Sequence, residues 1–370
     1  MVIVEEGKTR LFLPELLASR LGPAKRKIIF YNPAMEFNRD LSILLLQVLI
    51  AKEKRRLRIL DGLAGSGARG VRIAKEVEGE FEVFVNDRNE EAWGVIKKNI
   101  ALNRVSNAFP LNKNLNQLLN EEKFDYIDID PFGSPVGFVD NAFWGARREA
   151  VMGITATDLA VLCGRYPKAC LRRYGAQPLR CSSMHELGLR ILIGFIARSA
   201  MKYDLGIRPL LSYFEGHHFR TYFRIEKGVK KANNNLENLG WIEKLEEGYE
   251  VHKEPTGINS KRHAGPLWTG KIRDQELVEM MLEALPSKSL KTKNKIERML
   301  KLFLEENEVS TPFFYRTDEL ASLFHCSAPP LGRTIISIRE RGYRASRTHF
   351  NPTGLKTDAP LKSIRKLFIS

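Results

Sequence analysis

The segment Asp61-Gly62-Leu63-Ala64-Gly65-Ser66-Gly67-Ala68-Arg69-Gly70 lies between an apolar stretch, Leu57–Leu60, and a helical pattern, Val71–Val77. Glycine allows sharp backbone turns and lets the main chain approach a ligand closely. A strand, a glycine-rich loop and a helix in this order are typical of a cofactor-binding α/β sheet. The segment therefore predicts an α/β fold, with Gly65 and Gly67 in a ligand-binding loop.

The chain on either side of this loop alternates between strand and helix patterns. Further strands are predicted at Glu82–Val85, Phe124–Ile129 and Val151–Ala156, and helices at Asn38–Lys54 and Glu90–Asn103. Such alternation predicts a mostly parallel sheet with helices on both faces. Ligands of these sheets bind at the carboxyl ends of the strands, so the chemistry is expected there.

The second half of the chain follows a different pattern. We predict a long helix at Met184–Tyr203, two strands at Arg208–Tyr213 and Phe219–Ile225, and loops with short strands over 228–274. Helical patterns then return. The stretch 317–341 resembles two helices joined by a turn, which is compatible with a winged-helix-like unit.

Two acidic residues indicate which cofactor the glycine loop binds. Asp61 begins the loop and Asp87 ends the next strand. An acid at the start of the loop would repel a pyrophosphate, and the absence of Gly-Lys-Ser/Thr excludes a P-loop. The positive sulfonium and amino groups of S-adenosylmethionine favour nearby acids, and Asp87 can accept hydrogen bonds from ribose hydroxyls. A dinucleotide site, or a tight turn without a ligand, remains the alternative.

The predicted strand Phe124–Ile129 leads into the segment Asp128-Ile129-Asp130-Pro131-Phe132-Gly133-Ser134-Pro135. Because Pro131 stops the strand, Asp130 and Phe132 are expected at the carboxyl edge of the sheet. A carboxylate that accepts hydrogen bonds from an exocyclic amine localises its lone pair and takes its proton. An aromatic ring can stack on the base. We therefore predict Asp130 as the acceptor and base, and Phe132 as the stacking surface; a helix cap and a core side chain are the structural alternatives.

The charge of the chain indicates a polyanionic partner. The 370 residues carry a formal net charge of +15. Residues 286–370 contain 16 Lys or Arg and 8 Asp or Glu, so about half of the surplus lies in under a quarter of the chain. Lysine and arginine gain free energy by displacing counterions from phosphates. We expect an RNA partner, with candidate phosphate contacts at Lys288, Lys291, Lys293 and Lys295 and at Arg339, Arg341, Arg344 and Arg347.

The cysteines and the amino terminus indicate the cellular compartment in which the protein is expected. Cys163, Cys170, Cys181 and Cys326 form no Cys-x-x-Cys pair, which argues against a disulfide framework or a dithiol motif. The first residues lack the basic-then-apolar order of a signal peptide. We expect a cytoplasmic protein with no membrane association.

Five blocks of sequence are distinctive: FYNPAMEFNRD (30–40), DIDPFGSP (128–135), TATDLAVLCG (155–164), AGPLW (264–268) and THFNPTGLKTD (348–358). Together they resemble the tRNA (guanine-26-N2)-dimethyltransferases of archaea and eukaryotes. The resemblance implies a class I (Rossmann-like) methyltransferase domain plus a smaller α+β C-terminal domain, and we set the boundary between residues 225 and 226. It also implies that S-adenosyl-L-methionine methylates N2 of guanine 26 in tRNA. We expect no stable protein partner.

The resemblance assigns roles to individual residues. It makes Asp130 the catalytic carboxylate and places the target guanine between Phe30 and Phe132. It implies that Arg39 binds the carboxylate of the cofactor. The remaining cofactor-lining residues that it implies are Asp61, Gly65, Arg69 and Asp87.

Two departures from the family pattern concern the cofactor and metal sites. Where the family has an acid followed by Ala, this chain has Asn114-Leu115. The Asn carbonyl can still accept a hydrogen bond from the adenine amine. Many relatives carry a four-cysteine zinc cluster in the second domain, but 240–265 contains no cysteine here, so we expect no metal site.

The alternatives to this function are another RNA or DNA amino-methyltransferase and a non-catalytic RNA-binding relative. Enzymes that act on DNA amines or protein glutamine have Asn or Asp before Pro-Pro-Tyr, whereas this chain has one proline followed by Phe-Gly. A non-catalytic relative should have lost an acidic residue of the site or a glycine of the loop. In this chain Asp61, Gly65, Gly67, Asp87 and Asp130 are all present.

Overall fold

The computed structural model describes residues 2–14, 29, 31–246, 248–255, 257 and 261–369. The chain divides into two compact units that interleave along the sequence. The first contains Met1–Pro131, Gly137–Ile154 and Glu279–Leu300. The second contains Phe132–Val136, Thr155–Val278 and Lys301–Ser370. This division does not test the domain boundary that we predicted between residues 225 and 226, which stays a prediction.

The strands and helices follow in chain order. The strands are β1 (Val2–Glu6), β2 (Thr9–Leu13), β3 (Leu57–Asp61), β4 (Phe81–Asn86), β5 (Ala108–Leu111), β6 (Phe124–Ile129), β7 (Ala146–Ala156), β8 (Leu205–Glu215), β9 (His218–Lys227), β10 (Leu239–Lys244), β11 (Tyr249–His252), β12 (His263–Trp268), β13 (Tyr315–Arg316), β14 (Ala345–Thr348) and β15 (Asn351–Thr357). The helices are α1 (Glu36–Ala51), α2 (Ala68–Glu76), α3 (Glu90–Asn103), α4 (Leu115–Glu121), α5 (Val136–Gly145), α6 (Leu159–Leu162), α7 (Pro167–Tyr174), α8 (Met184–Met201), α9 (Val229–Leu236), α10 (Gln275–Ala284), α11 (Lys293–Asn307), α12 (Thr317–Leu323), α13 (Leu331–Glu340) and α14 (Leu361–Ile369).

Five strands form a parallel sheet in the order β5-β4-β3-β6-β7, which confirms the predicted mostly parallel α/β fold. Asp61 at the end of β3 pairs in register with Asp128 in β6. The carboxyl ends of these two central strands therefore meet at one edge. β6 is buried along its whole length, as is typical of a central strand in a parallel sheet covered on both faces.

Two features of this sheet differ from the sequence prediction. β5 was not predicted, because it is short and contains Pro110. Proline is tolerated in an edge strand of a sheet, and β5 is such a strand. β7 begins at Ala146 rather than Val151, since its first four residues are polar or partly exposed and carry no apolar signal.

The amino terminus forms the antiparallel hairpin β1–β2. Two amide side chains of α3 hold it. Asn99 Oδ1 accepts a hydrogen bond from Phe12 N (2.6 Å), and Asn103 Oδ1 accepts one from Arg10 N (2.9 Å). The side-chain nitrogens of Asn99 and Asn103 donate to the carbonyls of Phe12 and Arg10 in return.

The second unit contains three antiparallel groups of strands. β8 and β9 form a long hairpin that extends beyond both predicted strands. β11, β10 and β12 form one three-stranded sheet, and β13, β15 and β14 form another. α7 and α9 were not predicted. We predicted a loop at α9 because its sequence, VKKANNNL, has few apolar residues and contains asparagines, which are weak helix formers.

The carboxyl-terminal part of the second unit agrees with the predicted winged-helix-like arrangement. α12 and α13 pack with the β13-β15-β14 sheet around a common core. Leu320, Ile338, Leu355 and Ile364 are almost completely buried in it. Among the residues that the structure describes, no helix is long and apolar enough to cross a membrane.

A buried group of charges lies inside the first unit. Arg72 is completely buried, and its guanidinium contacts Asp40 (2.7 Å), Glu76 (2.9 Å) and Glu6 (3.3 Å). Glu76 also accepts a hydrogen bond from the Thr9 hydroxyl at 2.8 Å. Arg72 thus contacts three carboxylates from three elements, of which Glu6 also pairs with Arg39, so loss of Arg72 would leave buried negative charge.

We predict that Arg72→Ala lowers the free energy of unfolding by about 3–5 kcal/mol, the usual cost of leaving buried charges unpaired. Urea unfolding measures it. Arg56→Ala is the matched control, because Arg56 is exposed and pairs with Glu82 at the surface. That change should cost less than about 1 kcal/mol. Equal losses for the two variants would contradict the proposed compensation.

Candidate active site

The glycine loop has a backbone that requires glycine at two positions. Gly65 and Gly67 have φ of 54° and 77°, in the left-handed region. Gly67 precedes the first residue of α2, and a Cβ there would lie 3.0 Å from the Ile96 side chain. α2 consequently begins at Ala68, three residues before the predicted start. The loop therefore takes a shape that other residues would strain.

Asp61 is buried at the start of this loop. Its Oδ2 accepts a hydrogen bond from Gly70 N at 2.8 Å, which ties β3 to the first turn of α2. Burial, together with the neighbouring Asp128 carboxylate, raises the pKa of Asp61 to about 7, although the Arg69 guanidinium opposes the shift. Without a positive ligand the ionised form of Asp61 is therefore disfavoured, and a cation nearby would stabilise it.

Asp87 binds the glycine loop from the end of β4. Its Oδ2 accepts a hydrogen bond from Gly65 N (2.8 Å), and its Oδ1 accepts one from Asn89 N (2.9 Å). Each carboxylate oxygen has two lone pairs, so these bonds leave acceptor capacity for a ribose hydroxyl. The side chain fixes the loop and presents a carboxylate at the sheet edge.

Asn86 joins three strand ends and was not predicted. It is completely buried, and its Nδ2 donates to the carbonyls of Gly62 (3.0 Å) and Lys113 (3.1 Å). Its Oδ1 accepts from Lys113 N at 3.0 Å. One feature of the sequence could have indicated this role. An amide residue ends an apolar strand, and a polar group can stay buried there only if it is fully hydrogen-bonded.

Asp130 is held in place by Arg69. The Arg69 guanidinium lies 2.5 Å from Asp130 Oδ2 and 3.3 Å from Asp128 Oδ1, and it also donates to the Ser42 hydroxyl. Asp128 is fully buried and accepts a hydrogen bond from the Tyr126 hydroxyl at 2.6 Å. The Asp130 side chain, by contrast, is 23% exposed, so a substrate can reach its carboxylate.

The loop after Asp130 belongs to the second unit and is held by the block at 155–164. Gly133 N donates to the Thr157 hydroxyl at 2.7 Å, and Gly133 O accepts from Thr157 N at 2.9 Å. Ser134 contacts the Tyr174 hydroxyl, which donates to Asp158. Phe132 is 70% exposed in this loop, an unusual fraction for a large apolar ring.

The structure gives Arg39 a protein partner. Its guanidinium makes a two-pronged pair with Glu6 and donates to the carbonyl of Asn32 at 3.1 Å. Burial alone would raise the pKa of Glu6, but the Arg39 charge and hydrogen bonds hold it below its usual value. Glu6 also accepts from the Tyr31 hydroxyl at 2.5 Å. The cofactor role of Arg39 stays a prediction.

The other predicted site residues have these positions. Asn114 caps α4, and its Oδ1 accepts hydrogen bonds from the backbone of Asn116 (3.0 Å) and Gln117 (3.4 Å). Leu115 is buried, and a Cβ on Gly62 would lie 2.9 Å from its side chain. Phe30 lies outside the described residues. The structure thus gathers Asp61, Gly65, Gly67, Arg69, Asp87 and Asp130 at the strand ends of the first unit.

Comparison with known proteins shows that nearly the whole chain is similar to one protein family. Residues 10–368 match the family model for N2,N2-dimethylguanosine tRNA methyltransferase. The chain is 42% identical to the tRNA (guanine(26)-N(2))-dimethyltransferase of Pyrococcus abyssi, over 97% of this chain and 96% of that protein. It is 36% identical to the protein of the same name from Methanobrevibacter smithii, over 98% and 96%.

A solved structure is also similar along the whole chain. The complex of Trm1 from Pyrococcus horikoshii with S-adenosyl-L-methionine superposes with a TM-score of 0.89 at 36% identity. The match covers 99% of each chain.

We predict that Asp61→Asn stabilises the ligand-free protein in a pH-dependent way. Since the pKa of Asp61 is raised when folded, ionisation destabilises the folded state as pH rises from about 4 through 7. The variant should gain little below about pH 4 and up to about 4 kcal/mol above pH 8. Urea unfolding at several pH values measures this.

The control is Asp204→Asn, because Asp204 is exposed and has a left-handed φ of 54° that Asn tolerates. This variant shows how the loss of an exposed carboxylate changes stability, and the gain from Asp61→Asn should exceed it above about pH 8. A constant difference for Asp61→Asn across this range would contradict the raised pKa.

Proposed function

The chain belongs to the N2,N2-dimethylguanosine tRNA methyltransferase family, and we propose that it methylates the exocyclic N2 of guanine 26 in tRNA, with S-adenosyl-L-methionine as methyl donor. The products are N2-methylguanosine and N2,N2-dimethylguanosine. The observation that carries this function is the full-length similarity to dimethyltransferases at up to 42% identity. The acid-rich sheet edge described above supplies groups suited to this chemistry.

Asp130 is the acceptor and base in this proposal. The guanine amine is a weak nucleophile because its lone pair is delocalised into the ring. A carboxylate that accepts an N–H hydrogen bond localises the lone pair, and it takes the proton released when the methyl group is transferred. The partial exposure of Asp130 at the end of β6 supports this role.

Arg69, which the family resemblance assigns to the cofactor site, acts in this proposal as a positioning residue for that carboxylate. It is buried, so its guanidinium has little freedom, and it holds Asp130 at 2.5 Å. The same cation offsets the charge of Asp128, which would otherwise repel an ionised Asp130. One hydrogen bond from Arg69 does not exhaust the acceptor capacity of a carboxylate.

The cofactor lies along the glycine loop in this proposal. Asp87 accepts hydrogen bonds from the ribose, while Asp61 offsets the positive charge of the methionine part. Gly65 and Gly67 let the backbone approach the ligand. Leu115 and the Asn114 amide flank the adenine. Arg39 reaches the cofactor carboxylate only if its pairing with Glu6 is shared or exchanged.

The target base stacks on Phe132 in this proposal. A ring that is 70% exposed has an accessible face, and base–aromatic stacking contributes about 1–3 kcal/mol per base. Phe30 is proposed for the other face of the base from family resemblance alone.

The tRNA backbone contacts the basic carboxyl-terminal region, 226–370, in this proposal. Arg339, Arg341, Arg344 and Arg347 are exposed there, as phosphate contacts require. Lys288 does not fit that role, because it is buried and donates to the carbonyl of Glu76 at 3.1 Å. We place the enzyme in the cytoplasm, acting without a stable protein partner.

Transfer of labelled methyl groups to unmodified tRNA transcripts tests this function. We expect label in N2-methylguanosine first and then in N2,N2-dimethylguanosine, and none when guanine 26 is replaced by adenine. A transcript with a different guanine replaced is the control and should be methylated normally. Label in another nucleoside would overturn the substrate assignment, and cofactor binding without transfer would indicate a non-catalytic RNA-binding protein.

A further inference from the structure

A basic surface segment of the second unit precedes the long helix α8. Residues 159–185 contain five Lys or Arg and no Asp or Glu. All five cations are exposed: Arg165, Lys168, Arg172, Arg173 and Arg180. Arg180 adjoins the start of the segment, because a Cβ on Gly164 would lie 3.1 Å from its backbone nitrogen. Two apolar side chains among these cations, Tyr166 and Leu171, are also more than half exposed. We call these seven residues the α7 surface.

The helix α7 buries one face and presents another to solvent. Cys170 and Tyr174, four residues apart, are almost completely buried. Lys168, Leu171 and Arg172 have the spacing of a single helix face, and all three are exposed. The sequence of α7 therefore places positive charge and an apolar side chain together on its outer face.

Little of the positive charge on the α7 surface is neutralised by the protein. Arg173 Nη1 lies 3.3 Å from Asp158 Oδ2. Within the described part of the chain, no carboxylate forms an ion pair with any of the other four cations. The Arg165 guanidinium instead lies 5.6 Å from the centre of the Tyr166 ring. The α7 surface thus carries an excess of positive charge and complements a polyanion.

An exposed aromatic ring beside an arginine favours a nucleic acid over an acidic polypeptide as that polyanion. Positive charge alone would suit either partner. Nucleobases stack on aromatic rings and on guanidinium planes, whereas the carboxylate side chains of a polypeptide offer no comparable flat surface. Tyr166, which is 52% exposed next to Arg165, provides such a ring.

The helix α7 is joined to the loop that carries Phe132. The Tyr174 hydroxyl, on the last residue of α7, lies 2.8 Å from the Ser134 hydroxyl and donates to Asp158 Oδ1 at 2.7 Å. Ser134 follows Phe132 by two residues. An α-helix rises about 1.5 Å per residue, so α7 is about 12 Å long. The α7 surface is therefore close enough to contact nucleotides that neighbour a base stacked on Phe132.

We propose that the α7 surface binds the phosphates of the tRNA strand next to the target guanine, with Tyr166 stacked on a neighbouring base. This inference rests on the proposed function and adds a second contact region to the basic carboxyl-terminal residues. Phosphate contacts fix the register of a strand without reading its sequence, and they hold the strand while the target base is out of its stack. The α7 residues position the substrate and take no part in the transfer step.

The tRNA dissociation constant of Lys168→Ala/Arg172→Ala, measured at several salt concentrations, tests the proposal. Loss of two phosphate contacts should weaken binding about 10-fold near physiological salt and lower the salt slope by about 1 for each residue removed. Tyr166→Ala should weaken binding about 10-fold or more, as expected for one lost stacking contact. Lys168→Arg/Arg172→Lys keeps both charges and should bind tRNA like the wild type. Lys54→Ala/Arg56→Ala is the matched control, because both residues are exposed and precede β3, at the edge of the sheet opposite the glycine loop.

Steady-state methylation separates a positioning role from a structural or chemical one. In both alanine variants of the α7 surface, the KM for tRNA should rise about 10-fold. The kcat at saturating tRNA and the dissociation constant for S-adenosyl-L-methionine should stay close to those of the wild type, because only substrate binding is lost. A fall in kcat together with weaker cofactor binding would indicate a structural defect and contradict the proposal.

Crosslinking of the wild-type protein needs no variant. A tRNA with a photoreactive nucleotide beside guanine 26 should crosslink within 165–173, and crosslinks confined to other segments would overturn the proposal. Unchanged tRNA binding by the alanine variants, in an enzyme that methylates guanine 26, would overturn this inference alone. Weaker binding of polyglutamate with unchanged tRNA binding would assign the surface to an acidic polypeptide instead. A wild type that neither binds nor methylates tRNA would overturn the proposed function, and this inference with it.

Discussion

The first unit depends on the compensation of carboxylates buried at the ends of its central strands. Asp61 and Asp128 lie side by side in register, and Asp130 follows at the end of β6. A single cation, Arg69, contacts Asp128 and Asp130. Its charge does not fully offset the burial of Asp61, whose pKa remains raised. The ligand-free edge is therefore short of positive charge, which suits a cofactor that carries a sulfonium and an ammonium group.

In the proposed function, the same arrangement separates cofactor binding from catalysis within one sheet edge. The ends of β3 and β4 supply acids that are held by the backbone of the glycine loop, through Gly70 and Gly65. The end of β6 supplies Asp130, which is reachable and held by a side chain. Precise placement of the carboxylate matters because an amine reacts only when its lone pair lies in line with the methyl group. A buried arginine on a helix provides that placement better than a flexible surface residue would.

Much of this site could be predicted from sequence because its residues lie at the ends of apolar strands. Asp61, Asp87 and Asp130 each follow such a strand, and parallel strands bring these ends together. Pairings between distant segments could not be predicted. The Glu6–Arg39 pair joins residues 33 positions apart, and Asn86 is hydrogen-bonded to two separate loops.

The central claim is that the Asp130 carboxylate promotes transfer without holding the cofactor. Single-turnover methylation of tRNA by Asp130→Ala, alongside the dissociation constant for S-adenosyl-L-methionine, tests it most directly. Glu121→Gln, an exposed change on α4, is the control. Our account predicts a rate at least about 100-fold lower with cofactor affinity nearly unchanged. A rate close to that of the wild type, or an equal loss of cofactor binding and transfer, would contradict it.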